Sequence, residues 1–147
     1  DVYKRQVLAD VKMPIETENG ASVVLSGKVS SLSSEWKTCC IDAGGWTFET
    51  PTASLAMGSQ VRLRVLARDV SIAVEKPDSI SIRNRLQAEV EEIAAHPSEP
   101  AYQLVKLKCP NGEGRLVSRI LNQSVTELGL HPGSQVWALV KASAVIM

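Results

Sequence analysis

Three stretches of this sequence carry side chains able to hold a small anion. The first is Ser79-Ile80-Ser81-Ile82-Arg83-Asn84. Read as a strand, it puts Ser79, Ser81 and Arg83 on one face. Two hydroxyls beside a guanidinium offer donors that suit a carboxylate or a tetrahedral oxyanion, although a solvated edge strand with a surface arginine has the same pattern. The second is Trp137-Ala138-Leu139-Val140-Lys141, where the ammonium follows Trp137 and Leu139 on the same side of a strand. Such a group either meets an anion or a carboxylate, or snorkels along its own stem to water. The third, Ser124-Val125-Thr126-Glu127, fits a capping box, and a helix start also turns free backbone donors toward a bound anion.

Other chemistry is poorly supplied. The three cysteines, Cys39, Cys40 and Cys109, are odd in number and lack metal-type spacing, so they read as reduced core thiols of a cytoplasmic protein. His96 and His131 each precede a proline and have no second histidine or Cys-x-x-Cys nearby, which leaves no zinc site. No Ser-His-Asp set and no paired carboxylates in context point to an enzyme. No glycine-rich loop ends in Gly-Lys-Ser or Gly-Lys-Thr, so the sequence carries no ATP site. Lys plus Arg number 16 and Asp plus Glu number 16, giving zero net charge, so any anion site must be local. With 3 Trp, 2 Tyr and 1 Phe there is no stacking platform for single-stranded nucleic acid. No apolar run approaches the ~20 residues of a spanning helix, and no secretory signal is visible.

The elements that must position these groups come in two copies. Gly58-Ser59-Gln60-Val61 returns as Gly133-Ser134-Gln135-Val136, and each copy opens a strand-like run. Aligned there, Val61, Leu63 and Val65 match Val136, Ala138 and Val140 as the inward set. The outward sets differ: Arg62, Arg64 and Leu66 in the first copy, Trp137, Leu139 and Lys141 in the second. A strand apolar on both faces needs a cover, either the other half of the chain or a second subunit, and a second subunit is the expected one.

The first unit is expected over 21–77, with strands at 22–32, 38–41 and 46–49 around the Gly44-Gly45 turn, then 61–67 and 70–74. The second, 78–147, is expected to place strands at 85–93 and 102–108, a turn at Asn111-Gly112, a helix around Leu121, Val125 and Leu128 closed by Gly129, and a last strand over 136–146. The fold class is all-β: two tandem OB-like barrels with one short helix in the second. Residues 1–6 read as a non-native adapter remnant and 7–20 as a linker from an upstream domain.

Taken together, the repeat, Ser81-Ile82-Arg83-Asn84, Ser124 ahead of Glu127-Leu128-Gly129-Leu130, the run 61–73 and the run 132–142 resemble the tandem Mop-type (TOBE) molybdate-binding domain. Within that group they resemble most the C-terminal regulatory domain of the ATP-binding subunit of bacterial molybdate importers. The resemblance covers roughly 7–147 and implies an OB-like pair that dimerises and binds molybdate or tungstate at an interface. The family's Ser-x-Arg-Asn element falls on Ser81, Arg83 and Asn84, its Lys-Ala element on Lys141 and Ala142, and its helix-start serine on Ser124. Leu121 stands where the family often has threonine, and Ala88 where it often has glycine. The resemblance further implies membrane-embedded permease subunits as partners, reached through an absent ATPase domain, and a place at the cytoplasmic face of the plasma membrane. A stand-alone molybdate-storage protein and the sensor half of a molybdate-responsive transcription factor are the alternatives within the fold.

Overall fold

Strict alternation of buried and exposed side chains from Val23 to Val29 is what a strand covered on one face requires. The computed structural model describes residues 21–52 and 54–147, so the readings made for 1–20 lie outside the described residues. Strand β1 spans Ser22–Ser33, β2 Thr38–Ala43, β3 Trp46–Pro51 and β4 Gln60–Leu66. After a 3-10 turn at Ala67–Asp69, β5 spans Ser71–Ala73. Then follow β6 (Asn84–Ala95), β7 (Tyr102–Lys108), β8 (Arg115–Leu121), helix α1 (Asn122–Glu127), β9 (Gln135–Val140) and a second 3-10 turn at Ala142–Ala144. One sheet has the order β3-β2-β1-β4 and the other β5-β9-β6-β7-β8. The architecture is all-β, two OB-like units with one short helix, as the sequence implies.

The repeated tetrapeptide has a defined task. Strand β1 carries a bulge between Val29 and Ser31, and β6 one between Val90 and Glu92. In the first unit Gly58 N–H donates to the Val29 carbonyl (2.9 Å) and Val29 N–H to the Ser59 carbonyl (3.0 Å). In the second, Gly133 N–H donates to Val90 (2.8 Å) and Val90 N–H to Ser134 (2.9 Å). Both glycines sit at positive φ, 79° and 97°, which a residue with a Cβ adopts only under strain. The repeat is therefore a clasp on the bulge, and the bulge bends the long strand around its core.

The two units interlock through their ends. Strand β5, from the end of the first unit, pairs with β9 through Ser71↔Leu139, Ile72↔Ala138 and Ala73↔Trp137. Reciprocally, the C-terminal tail pairs with β4 at Arg64↔Ile146, with Arg64 N–H donating to Ile146 (2.7 Å) and Ile146 N–H to Arg64 (3.0 Å). Leu139 aligns with Arg64, and Ile146 with Ser71, at the same offset as Gly133 with Gly58. Two buried hydroxyls repeat the exchange: Ser118 Oγ on β8 donates to the Val70 carbonyl, and Thr50 Oγ1 on β3 to the Ala142 carbonyl at 3.4 Å. The hairpin tips also meet, Gly114 N–H donating to the Gly44 carbonyl at 2.8 Å. A Cβ on Gly44 would lie 2.5 Å from the Gly114 Cα. One continuous core results, including Phe48, Ile41 and Leu63 from the first unit and Leu107, Leu116 and Val90 from the second.

Several expectations need correction. Residues 79–83 are not a strand; β6 begins only at Asn84, so the shared face of Ser79, Ser81 and Arg83 does not form by alternation. The last strand stops at Val140 rather than 146, because the second 3-10 turn redirects the chain toward β4. The capping box is absent. The helix cap is Leu121, with no side-chain cap bond, and Ser124 is the helix's third residue. Asn122 sets that earlier start, its N–H donating to Ala101 (2.8 Å) and its Nδ2 to Pro100 (2.6 Å). Gly129 does end the helix: Leu130 N–H reaches back to Val125 at 3.0 Å.

Candidate oxyanion site

Lys141 sits where β9 gives way to the second 3-10 turn, and its side chain is exposed. It lines a pocket of about 200 Å³ together with Arg68, Asp69, Ser71, Ile82, Leu139 and Ala144. The pocket forms where the exchanged ends cross. The first 3-10 turn and β5 supply Arg68, Asp69 and Ser71, while β9 and the second turn supply Leu139, Lys141 and Ala144. Leu139 itself is buried at 8% exposure, and the Trp137 ring has Lys76 Nζ 5.2 Å from its centre. Part of the cover expected from a second subunit thus comes from the chain's own residues. Chemically, two cations, one carboxylate and one hydroxyl around a small concavity leave a net positive charge and favour a small anion.

The other expected ligands take different places. Ser81 and Arg83 flank the pocket residue Ile82 and are both exposed. Arg83 Nε donates to Glu49 Oε1 at 2.7 Å with 69% of its side chain exposed, and this bond and the Glu49 charge push its guanidinium above an already high value. Asn84 is buried at 2% and fully committed. Its Oδ1 accepts from Glu49 N–H at 2.7 Å, and its Nδ2 donates to the Glu49 carbonyl at 3.0 Å. That amide does the work of a strand partner, tying β6 to β3. Ser124 lies on α1, which packs on β7 and β8, and it is not among the residues lining the Lys141 pocket. Ala142 carries no donor in its side chain; its carbonyl is held by Thr50. Leu121 is 45% exposed at the helix start, and Ala88 is fully buried opposite Val136.

Sequence reasoning missed Arg68, Asp69 and Ser71 as neighbours of Lys141. The signal was available, because the repeat aligns the ends of the two units, but reciprocal pairing of those ends needs a three-dimensional crossing that alternation does not encode.

The family model described as "TOBE domain" matches residues 80–147. The "Molybdenum import ATP-binding protein ModC" of Brucella abortus (strain 2308) is 41% identical over 138 residues, covering 93% of this chain and 37% of that protein. The protein of the same name from Methylococcus capsulatus is 31% identical over 142 residues, covering 97% of this chain and 39% of its own length. The chain thus spans well under half of these relatives. Among solved structures, the cytoplasmic molybdate-binding protein ModG, in a form with molybdate bound, superimposes with a TM-score of 0.69 at 28% identity, over 84% of this chain and 92% of that one.

Proposed function

We propose, from the match of residues 80–147 to the TOBE domain family model, that the chain binds molybdate or tungstate as the regulatory portion of the ATP-binding subunit of a molybdate importer. The observation that carries this reading is Lys141 lining a pocket with Arg68 and Ser71, in a chain similar to proteins named molybdenum import ATP-binding protein. No bond is made or broken on the ion. A dianionic tetrahedral oxyanion takes charge from the cations and hydrogen bonds from hydroxyls and backbone N–H groups. Ser81 and Arg83 stand beside the pocket through Ile82, and Asn84 fastens that segment to Glu49. Ser124, which does not line the Lys141 pocket, belongs to this reading as a ligand supplied by a second copy of the chain, and the proposed functional unit is a homodimer.

In the importer, occupancy of this site reports cytoplasmic molybdate and biases the dimer toward an arrangement that restrains further uptake. The permease subunits are the membrane partners, reached through the ATPase portion that the relatives possess. Uptake by cells carrying Lys141→Ala in the full-length importer is expected to continue at cytoplasmic molybdate levels that shut down the unaltered importer. Equal shutdown in both would contradict the regulatory role. A second reading, an independent molybdate-buffering protein, is supported by the match to nearly the whole of ModG; it expects the 147-residue chain to bind the ion without effect on transport.

A further inference from the structure

The Lys141 pocket is built from both exchanged ends, and its charge is unevenly divided between them. The second unit contributes one ammonium, Lys141, and the first contributes Arg68 and Asp69. If Lys141 were the only cation, Asp69 would cancel it, and a dianion would enter a pocket with no net attraction. Arg68 restores a net positive charge and adds a planar set of donors. Arg68 is itself exposed and stands in the 3-10 turn held by Ser118 through the adjacent Val70 carbonyl. Lys141 directly precedes the other 3-10 turn, whose Ala142 carbonyl accepts from Thr50 and whose tail pairs Ile146 with Arg64.

We propose that the oxyanion is gripped across the two exchanged ends, with Arg68 of the first unit as the second cationic anchor beside Lys141, so that ion occupancy and docking of the C-terminal tail on β4 are linked. This rests on the oxyanion-binding reading above. Linkage follows because an ion touching both turns binds best when both are docked, and by reciprocity it holds them docked. The tail is held by the buried Val145 and by the Arg64–Ile146 bridge at the very end of the chain, and opening of that bridge is the local event that such an ion suppresses.

The test uses the whole chain and sodium molybdate. Arg68→Ala is expected to weaken molybdate binding about tenfold in calorimetric titration, the scale of one charge-assisted hydrogen bond. Its unliganded melting temperature should match the unaltered protein, because Arg68 is exposed, and Arg68→Lys should recover part of the affinity. In the unaltered protein, saturating molybdate should slow hydrogen exchange at the Arg64 and Ile146 amides. Unchanged affinity in Arg68→Ala, or unchanged exchange at both amides while molybdate binds, would overturn the proposal. If the unaltered chain binds neither molybdate nor tungstate, the oxyanion reading itself fails, and the proposal with it.

Discussion

Single residues here divide into those that can meet a ligand and those spent on holding the chain. Lys141 belongs to the first kind and Asn84, with both ends of its amide on the Glu49 backbone, to the second. Arg83 stands between, exposed yet paired to Glu49. The thiols sort by burial in the same way. Cys39 is 1% exposed, and burial, with the neighbouring Cys40 adding to it, pushes its thiol above the ordinary value of 9.0. A raised value means the folded state holds the proton more tightly. Its contribution to stability is therefore complete below pH 9.0 and is lost as pH rises through the folded value. A thiol reagent added to the native protein at pH 8 is expected to modify the partly exposed Cys40 first and to reach Cys39 only on unfolding. Modification of Cys39 at the Cys40 rate would show that the burial does not protect it.

At the scale of elements, the two units share a plan but differ in how they fill the bulge. In the first unit the residue at the bulge is Ser30, whose hydroxyl lies 3.3 Å from Asp42 Oδ1. In the second it is Glu91, which lies 3.4 Å from Lys106 Nζ and accepts from Arg115 at 3.0 and 3.3 Å. Lys106 is 1% exposed in the middle of β7, so its charge depends on partners inside the fold. Removing the carboxylate with Glu91→Gln is expected to cost on the order of 2 kcal/mol in urea unfolding, because Lys106 and Arg115 each lose a charged partner. A loss below about 0.5 kcal/mol, the range of ordinary surface changes, would contradict this account. Much at this scale was legible in the sequence. The Gly44-Gly45 hairpin, β7 from Tyr102 to Lys108 and the Gly129 helix end follow from alternation and turn chemistry. The start of α1 was not, because Asn122 is fixed by Ala101 and Pro100, residues distant along the chain. Nor was the irregular path of 79–83, where alternating Ser and Ile residues imitate a strand.

For the whole molecule, the defining feature is that neither unit is finished by its own residues. The end of the first completes the sheet of the second, the tail of the second pairs with β4 of the first, and the Lys141 pocket opens where they cross. Duplication was readable from the repeated tetrapeptide, and the broken symmetry that puts lysine where the first copy has Leu66 points to the proposed site. Reciprocal exchange was not readable, since it depends on which partner each free strand edge accepts. Leu66 is buried at 5%, so the first unit offers no ammonium at the equivalent place, and the account expects a single site per chain. Calorimetric titration of the 147-residue chain with molybdate, with sulfate and phosphate as competitors, measures the Lys141 site itself. Saturable molybdate binding at one ion per chain is expected, abolished by Lys141→Ala without loss of the folded state. Absence of molybdate and tungstate binding, or binding that survives Lys141→Ala undiminished, would contradict it.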